Sequence, residues 1–144
     1  MKIYLASPFF NPTELAVYHN VIGDLRSNDA HSVYVPQEHE IPNAWDMSNQ
    51  DWARQVFCAD IEAIEDCDVV MVLNFGMYSD SGTAWEAGYA YALKLPTVQV
   101  LCGGDNATYS LMMMNGCDHI VEFKDLTHWE EKSAKLDTDG IIQK

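Results

Sequence analysis

Strands and helices alternate along this 144-residue chain, and the alternation predicts an α/β fold with a doubly wound, mostly parallel sheet. Two observations carry that prediction. Val69-Val70-Met71-Val72-Leu73 is an uninterrupted apolar run of strand length, as expected of a central parallel strand buried on both faces. Between such runs lie segments whose apolar residues recur at helical spacing.

The elements follow in order. Ile3-Tyr4-Leu5-Ala6 reads as a buried strand, left through the loop Ser7-Pro8-Phe9-Phe10. Asn11-Pro12-Thr13-Glu14 is a strong helix start: Asn at the cap, Pro at the first helical position, Glu three residues after the cap. Leu15, Tyr18, Ile22 and Leu25 continue that helix. Ser32 to Val35 is a second strand, ended by Pro36, and residues 36–48 form a polar loop long enough to suggest function. A second helix runs from about Gln50 to Ile64, with Trp52, Val56, Phe57, Ile61 and Ile64 setting its apolar side. After the 69–73 strand comes a Gly/Ser/Asp loop over 74–82, then a third helix from about Thr83 to Leu93. Pro96 to Leu101 is a fourth strand, Leu111 to Met114 a short helix, His119 to Phe123 a fifth strand, and the remainder a polar tail. Five strands fit the flavodoxin-like order 2-1-3-4-5, in which ligands bind outside the carboxyl ends of the strands, between strands 1 and 3. The loops bordering the expected site are 6–11, 36–48, 74–82 and 102–110. The length predicts a single domain over 1–144, with no repeat and no linker.

Eight Lys and Arg stand against 22 Asp and Glu, a formal net charge of −14. That balance argues against nucleic acid or an anionic membrane as partner, since both need basic patches. No stretch approaches the length of a membrane span, and the N-terminus lacks the apolar run of a signal peptide. The four cysteines, at 58, 67, 102 and 117, form no C-x-x-C pair and have no histidine at zinc-ligand spacing. A reducing, cytoplasmic setting is expected.

Most of the carboxylates serve solubility; three are out of place. Asp60 lies about 40° from both Val56 and Ile64 on a helical wheel, inside the apolar stripe, where a carboxylate is costly unless paired or hydrogen-bonded. A buried Asp bonded to a backbone group fits as well as a functional one. Asp80 and Glu86 flank the start of the third helix. Thr83-x-x-Glu86 has capping-box spacing, and Asp80 fits a turn. Yet Trp85, Ala87, Gly88, Tyr89 and Ala90 make this helix small and aromatic, hence tightly packed, so that a sequestered Glu86 suits a nucleophile or acid/base. With Tyr4, Phe9, Phe10 and Trp52 nearby, three carboxylates and aromatic walls suit a neutral or cationic ligand such as a sugar ring or a base. Glycoside chemistry uses two carboxylates around an oxocarbenium-like transition state.

The motifs exclude other chemistry. No G-x-G-x-x-G follows the first strand and no P-loop is present. Asn74 stands where a receiver domain needs Asp, and Asp66-Cys67-Asp68 precedes its strand, badly placed for a magnesium pair. The five histidines are scattered. No metal and no cofactor is expected. Met112-Met113-Met114 reads as core, subunit interface or pocket lining.

Ile3-Tyr-Leu-Ala-Ser-Pro-Phe-Phe10, Asp60 followed by Ile61, the 68–73 strand, and above all Asp80-Ser-Gly-Thr-Ala-Trp-Glu86-Ala-Gly-Tyr89 resemble the nucleoside 2-deoxyribosyltransferases, over roughly residues 1–123. The resemblance implies a flavodoxin-like fold and exchange of the purine or pyrimidine base on a 2'-deoxynucleoside, a salvage reaction. It makes Glu86 the nucleophile that forms a covalent deoxyribosyl-enzyme, with net retention and ping-pong kinetics. Tyr4 matches a tyrosine that orients that glutamate. Asp60 and Asp80 match two aspartates that hold sugar hydroxyls or the base and assist its protonation. Phe10 matches an aromatic wall of the base pocket. Glu40 stands near the base, where family members often have Gln. The family is homo-oligomeric, usually a hexamer built from dimers, and a neighbouring subunit completes each site; Ser110-Leu111-Met112 matches that contribution, with Ser110 where Asn is often found. Two rivals remain: a deoxynucleoside 5'-phosphate N-glycosidase of the same superfamily, and a non-catalytic flavodoxin-like nucleoside-binding module in which Glu86 only caps its helix.

Overall fold

The computed structural model describes residues 1–132 and 141–142. Five strands form one parallel sheet in the order β2-β1-β3-β4-β5, as the alternation predicts. They are β1 (Lys2–Ala6), β2 (Ser32–Tyr34), β3 (Val69–Asn74), β4 (Thr97–Leu101) and β5 (His119–Glu122). The connecting helices are α1 (Pro12–Arg26), α2 (Asn49–Glu65), α3 (Ser81–Ala92) and the short α4 (Leu111–Asn115), with α5 (Trp129–Lys132) after β5.

Strand alternation divides the core into two layers. Ile3, Leu5, Met71, Leu73, Val98, Val100 and Val121 face α1, meeting Tyr18, Val21, Ile22 and Leu25. Tyr4, Ala6, Val70 and Val72 face the other way, onto Ile64 of α2, Ala87 and Ala90 of α3 and Met113 of α4. All six residues of β3 are buried, which explains its unbroken apolar run. The start of α1 follows the sequence signal: Asn11 Oδ1 accepts from the Glu14 N–H at 3.0 Å, and Glu14 Oε2 accepts from the Phe10 N–H at 2.8 Å. That second bond fixes the chain at Phe10 as it enters the helix.

Two expectations are corrected. The segment after Phe123 is not simply a polar tail: Phe123–His128 forms a 3₁₀ turn leading into α5, and Leu126 and Trp129 are buried in the α1-side core. Residues 133–140 and 143–144 of the predicted tail lie outside the described residues. The apolar side predicted for α2 is also not a core face. Of that helix only Ile64 is buried, while Trp52 and Phe57 are exposed. The reason is positional. Trp52, Val56, Asp60 and Ile64 form one row at i, i+4 spacing; its last member sits in the core and the three before it line a cleft. The stripe is the wall of a site. Ile64 therefore anchors α2, and Ile64→Ala is expected to cost about 2–5 kcal/mol in urea-induced unfolding, the range for a fully buried large-to-small change.

Candidate active site

Beside the carboxyl ends of β1 and β3 lies a cleft of about 1030 Å³, large enough for a small organic ligand. Three of the four expected loops border it: 7–10, 36–46 and 80–83. The fourth does not. The 102–110 loop lies at the β4-β5 side of the sheet, away from the switch point, and lines a separate cavity of about 340 Å³. The long 36–48 loop folds through two 3₁₀ turns, Pro36–Glu38 and Ala44–Asp46, to form the outer wall.

The inner wall is built by α3. Asp80 caps the helix: its Oδ2 accepts from the Thr83 N–H at 2.9 Å and the Thr83 hydroxyl at 3.2 Å. A Cβ on Gly82 would stand 3.0 Å from that oxygen, so glycine there leaves room for the cap. This resolves the two readings of Thr83-x-x-Glu86. The cap is Asp80, and Glu86 makes no cap bond; its Oε1 accepts instead from the Tyr4 hydroxyl at 2.9 Å. Tyr4 is fully buried on β1 and reaches Glu86 from the sheet below. Asp80, Thr83 and Glu86, at i, i+3 and i+6, all face the cleft.

Burial pushes the Glu86 carboxyl up to about 7, and the neighbouring charges of Asp60 and Asp80 add to it; the Tyr4 hydrogen bond acts the other way, favouring the ionised form. The Tyr4 phenol is driven far above its ordinary range by burial and then by the charge of Glu86, so it stays a donor. Asp60, half-buried, is raised by burial and drawn back by the Tyr34 hydroxyl, which donates to its Oδ1 at 3.1 Å, and by His39.

Of the residues expected in the site, the cleft brings together Glu86, Asp60, Asp80, Phe9, Phe10, Glu40 and Trp52, with Tyr4 beneath Glu86. Phe9 and Phe10 pack ring to ring at 4.9 Å on its rim. Ser110 and Met112 are not there. They line a second, largely apolar groove of about 460 Å³ between α3 and α4, on the opposite side of α3, with Ala84, Ala87 and Gly88. Tyr34 and His39 were not singled out from the sequence. The usable signal was the strand alternation, which puts Tyr34 on the same face as Tyr4.

The ionisation of Glu86 has a consequence for stability. Its folded value, about 7, lies above the ordinary 4.5, so the stabilising proton is fully bound below about pH 4.5 and lost as pH rises through 7. Above that, the buried charge costs about 3 kcal/mol at 1.36 kcal/mol per unit. Glu86→Gln is expected to melt several degrees higher than the parent at pH 8 and at nearly the same temperature at pH 4, read by thermal unfolding at both values.

The sequence model of the nucleoside 2-deoxyribosyltransferase family matches residues 3–128. Among solved structures, the 2-deoxyribosyltransferase of the psychrotolerant bacterium Bacillus psychrosaccharolyticus is 33% identical, with a TM-score of 0.78 over 88% of this chain and 90% of that one. Two more distant structures share the fold. One is a CMP N-glycosidase from Clostridium botulinum, at 17% identity and a TM-score of 0.60, covering 91% of this chain and 99% of that one. The other is a 2-deoxyribosyltransferase from Leishmania mexicana, at 23% identity and 0.54, covering 81% and 71%. No curated protein matches the chain. A family match over most of the sequence and an identity of 33% along nearly the whole of a solved relative lead to one conclusion: this chain belongs to the nucleoside 2-deoxyribosyltransferase family.

Proposed function

We propose that the protein exchanges the base of 2'-deoxynucleosides through a covalent deoxyribosyl-Glu86 intermediate. The observation that carries this reading is the state of Glu86: a carboxylate sequestered at the floor of the cleft, one oxygen fixed by Tyr4, the other without a partner among the described residues. Tyr4 favours the charged form that a nucleophile needs. The free oxygen attacks C1' of the deoxyribose. The C1'–N bond breaks with its electron pair going to the base, which takes up a proton from solvent, relayed past the Asp60 and Asp80 carboxylates. A second base then attacks C1' with a ring nitrogen, displaces Glu86 and loses its proton. Two inversions give net retention. Phe9, Phe10 and Trp52 supply apolar walls for the base, and the carboxylates favour the positive charge that develops on the sugar ring.

The groove between α3 and α4 supports the assembly reading. Tyr91, Leu111 and Met112 are 65%, 50% and 75% exposed on this one chain, and a Cβ on Gly88 would meet nothing within 4 Å. In our reading a second copy covers this face, and Ser110–Met112 completes that copy's cleft. The whole chain acts as one domain in the salvage of deoxyribonucleosides in the cytoplasm.

One observation separates nucleosides from nucleotides. Among the described residues, those lining the cleft include Glu40, Asp46, Asp60, Asp80 and Glu86 but no lysine or arginine. A phosphate dianion there would meet uncompensated negative charge. Turnover of deoxyadenosine is therefore expected to exceed that of its 5'-phosphate by at least about a hundredfold in kcat/KM; equal turnover would favour the N-glycosidase reading. Glu86→Ala is expected to abolish exchange between thymidine and adenine, followed by chromatography, while the protein stays folded. Near-parental exchange by that variant would remove Glu86 from the chemistry.

A further inference from the structure

The mechanism above leaves one part of the site without a role. β1 and β2 are parallel neighbours with Tyr4 opposite Tyr34 in register, so both rings leave the same face of the sheet. They stack with centroids 5.5 Å apart and planes 14° from parallel. Each hydroxyl ends on a different carboxylate: Tyr4 on Glu86 at 2.9 Å, Tyr34 on Asp60 at 3.1 Å. The sheet thus presents a tyrosine pair to a carboxylate pair.

We propose that Tyr34 is a positioning residue, whose hydroxyl holds Oδ1 of Asp60, leaves Oδ2 for the cleft and stabilises the charge of that carboxylate beside Glu86. The inference rests on the reading of Glu86 as the nucleophile.

The surroundings of Asp60 show why such a donor matters. Tyr34 comes from β2 and Tyr4 from β1, His39 from the loop after β2, Glu86 and Asp80 from α3, and Glu62 from its own helix. Three carboxylates face one another across this space. Left alone, two near neighbours share a proton, and which one holds it is undetermined. Tyr34 gives the direct hydrogen bond to the Asp60 carboxylate among the described residues, and a bond to the ionised form favours that form. Asp60 then remains the charged member and Glu86 the one that titrates near neutrality. An ionised Asp60 also faces the sugar when positive charge develops on it. The parallel stack locks both rings, so the two hydroxyls are aimed before any substrate arrives.

The test is Tyr34→Phe, which keeps the ring on Tyr4 and removes only the hydroxyl. In ligand-free protein with ¹³C-labelled carboxyl groups, the NMR titration midpoint of Asp60 is expected to rise by about one unit. Base exchange is expected to fall about tenfold in kcat with little change in KM, the size of one lost charge-assisted bond. An unmoved Asp60 midpoint overturns the proposal. Should Tyr34→Phe fail to fold, the reciprocal variant Asp60→Asn decides the matter in protein that retains Tyr34. Its ring ¹³Cζ resonance should then shift more than that of Tyr4, and a stationary Tyr34 resonance is equally fatal. Neither NMR measurement needs substrate, so their failure strikes this proposal alone, whereas full exchange by Glu86→Ala strikes the reading beneath it.

Discussion

The hydrogen bond from Tyr4 to Glu86 ties the sheet to the helix that carries the site. It joins the second residue from the start of the β1 core to the second turn of α3, 82 positions later, and it lies where β1 and β3 meet. A carboxylate withdrawn from water resists ionisation. Without a donor, Glu86 would be held as a neutral acid, and with several donors it would be a stable anion; the nucleophilic role proposed for it needs a state between the two. One donor, a phenol that burial prevents from ionising, leaves the group balanced near neutrality with one oxygen unengaged. The rest of the local structure serves that balance. β3 is apolar throughout and buries the floor, Asp80 fixes where α3 begins, and the small residues Ala87 and Ala90 let the helix sit close to the sheet.

The fold was legible because its signals are local and repeated. Apolar runs of strand length, a strong cap at Asn11 and the spacing of Tyr18, Ile22 and Leu25 each report on backbone conformation a few residues away, and the sheet order follows from connection rules. What was less legible depends on what an apolar residue faces. The α2 stripe has the same 3.6-residue period whether it packs on a core or lines a cleft, so Val56 reads as a core residue beside Ile64. The same ambiguity hid Leu126 and Trp129, isolated apolar residues in a polar stretch too short for periodicity to show.

The site was legible to the extent that burial conflicts with charge. Asp60 stands out because it interrupts an apolar stripe, and Glu86 because its sequence neighbours are small or aromatic, although Trp85 and Tyr91 of the same helix prove to be exposed. Both anomalies survive in three dimensions as cleft carboxylates. Tyr34 did not stand out, because a tyrosine in an edge strand breaks no rule; only the register against Tyr4 reveals it. Ser110 and Met112 illustrate a different limit. In the assembly proposed above they serve a neighbouring copy and have no reason to lie near their own chain's cleft; on the single chain they border an apolar groove beside α3 in which Met112 is exposed.

The net charge of −14 acquires a local meaning from this arrangement. Flavodoxin-like sheets commonly bind phosphate at the strand 1 loop through backbone N–H groups and a helix N-terminus. Here that loop is Ser7-Pro8-Phe9-Phe10: the proline has no N–H to offer, and the Phe10 N–H is already taken by Glu14. The N-terminus of α3, the other helix end open to the cleft, is occupied by its own Asp80. At each of these positions a backbone N–H, that of Phe10 or of Thr83, is already engaged by one of the chain's own carboxylates. These two bonds, with the acidic residues along the cleft wall, are the structural basis of the preference for unphosphorylated nucleosides proposed above.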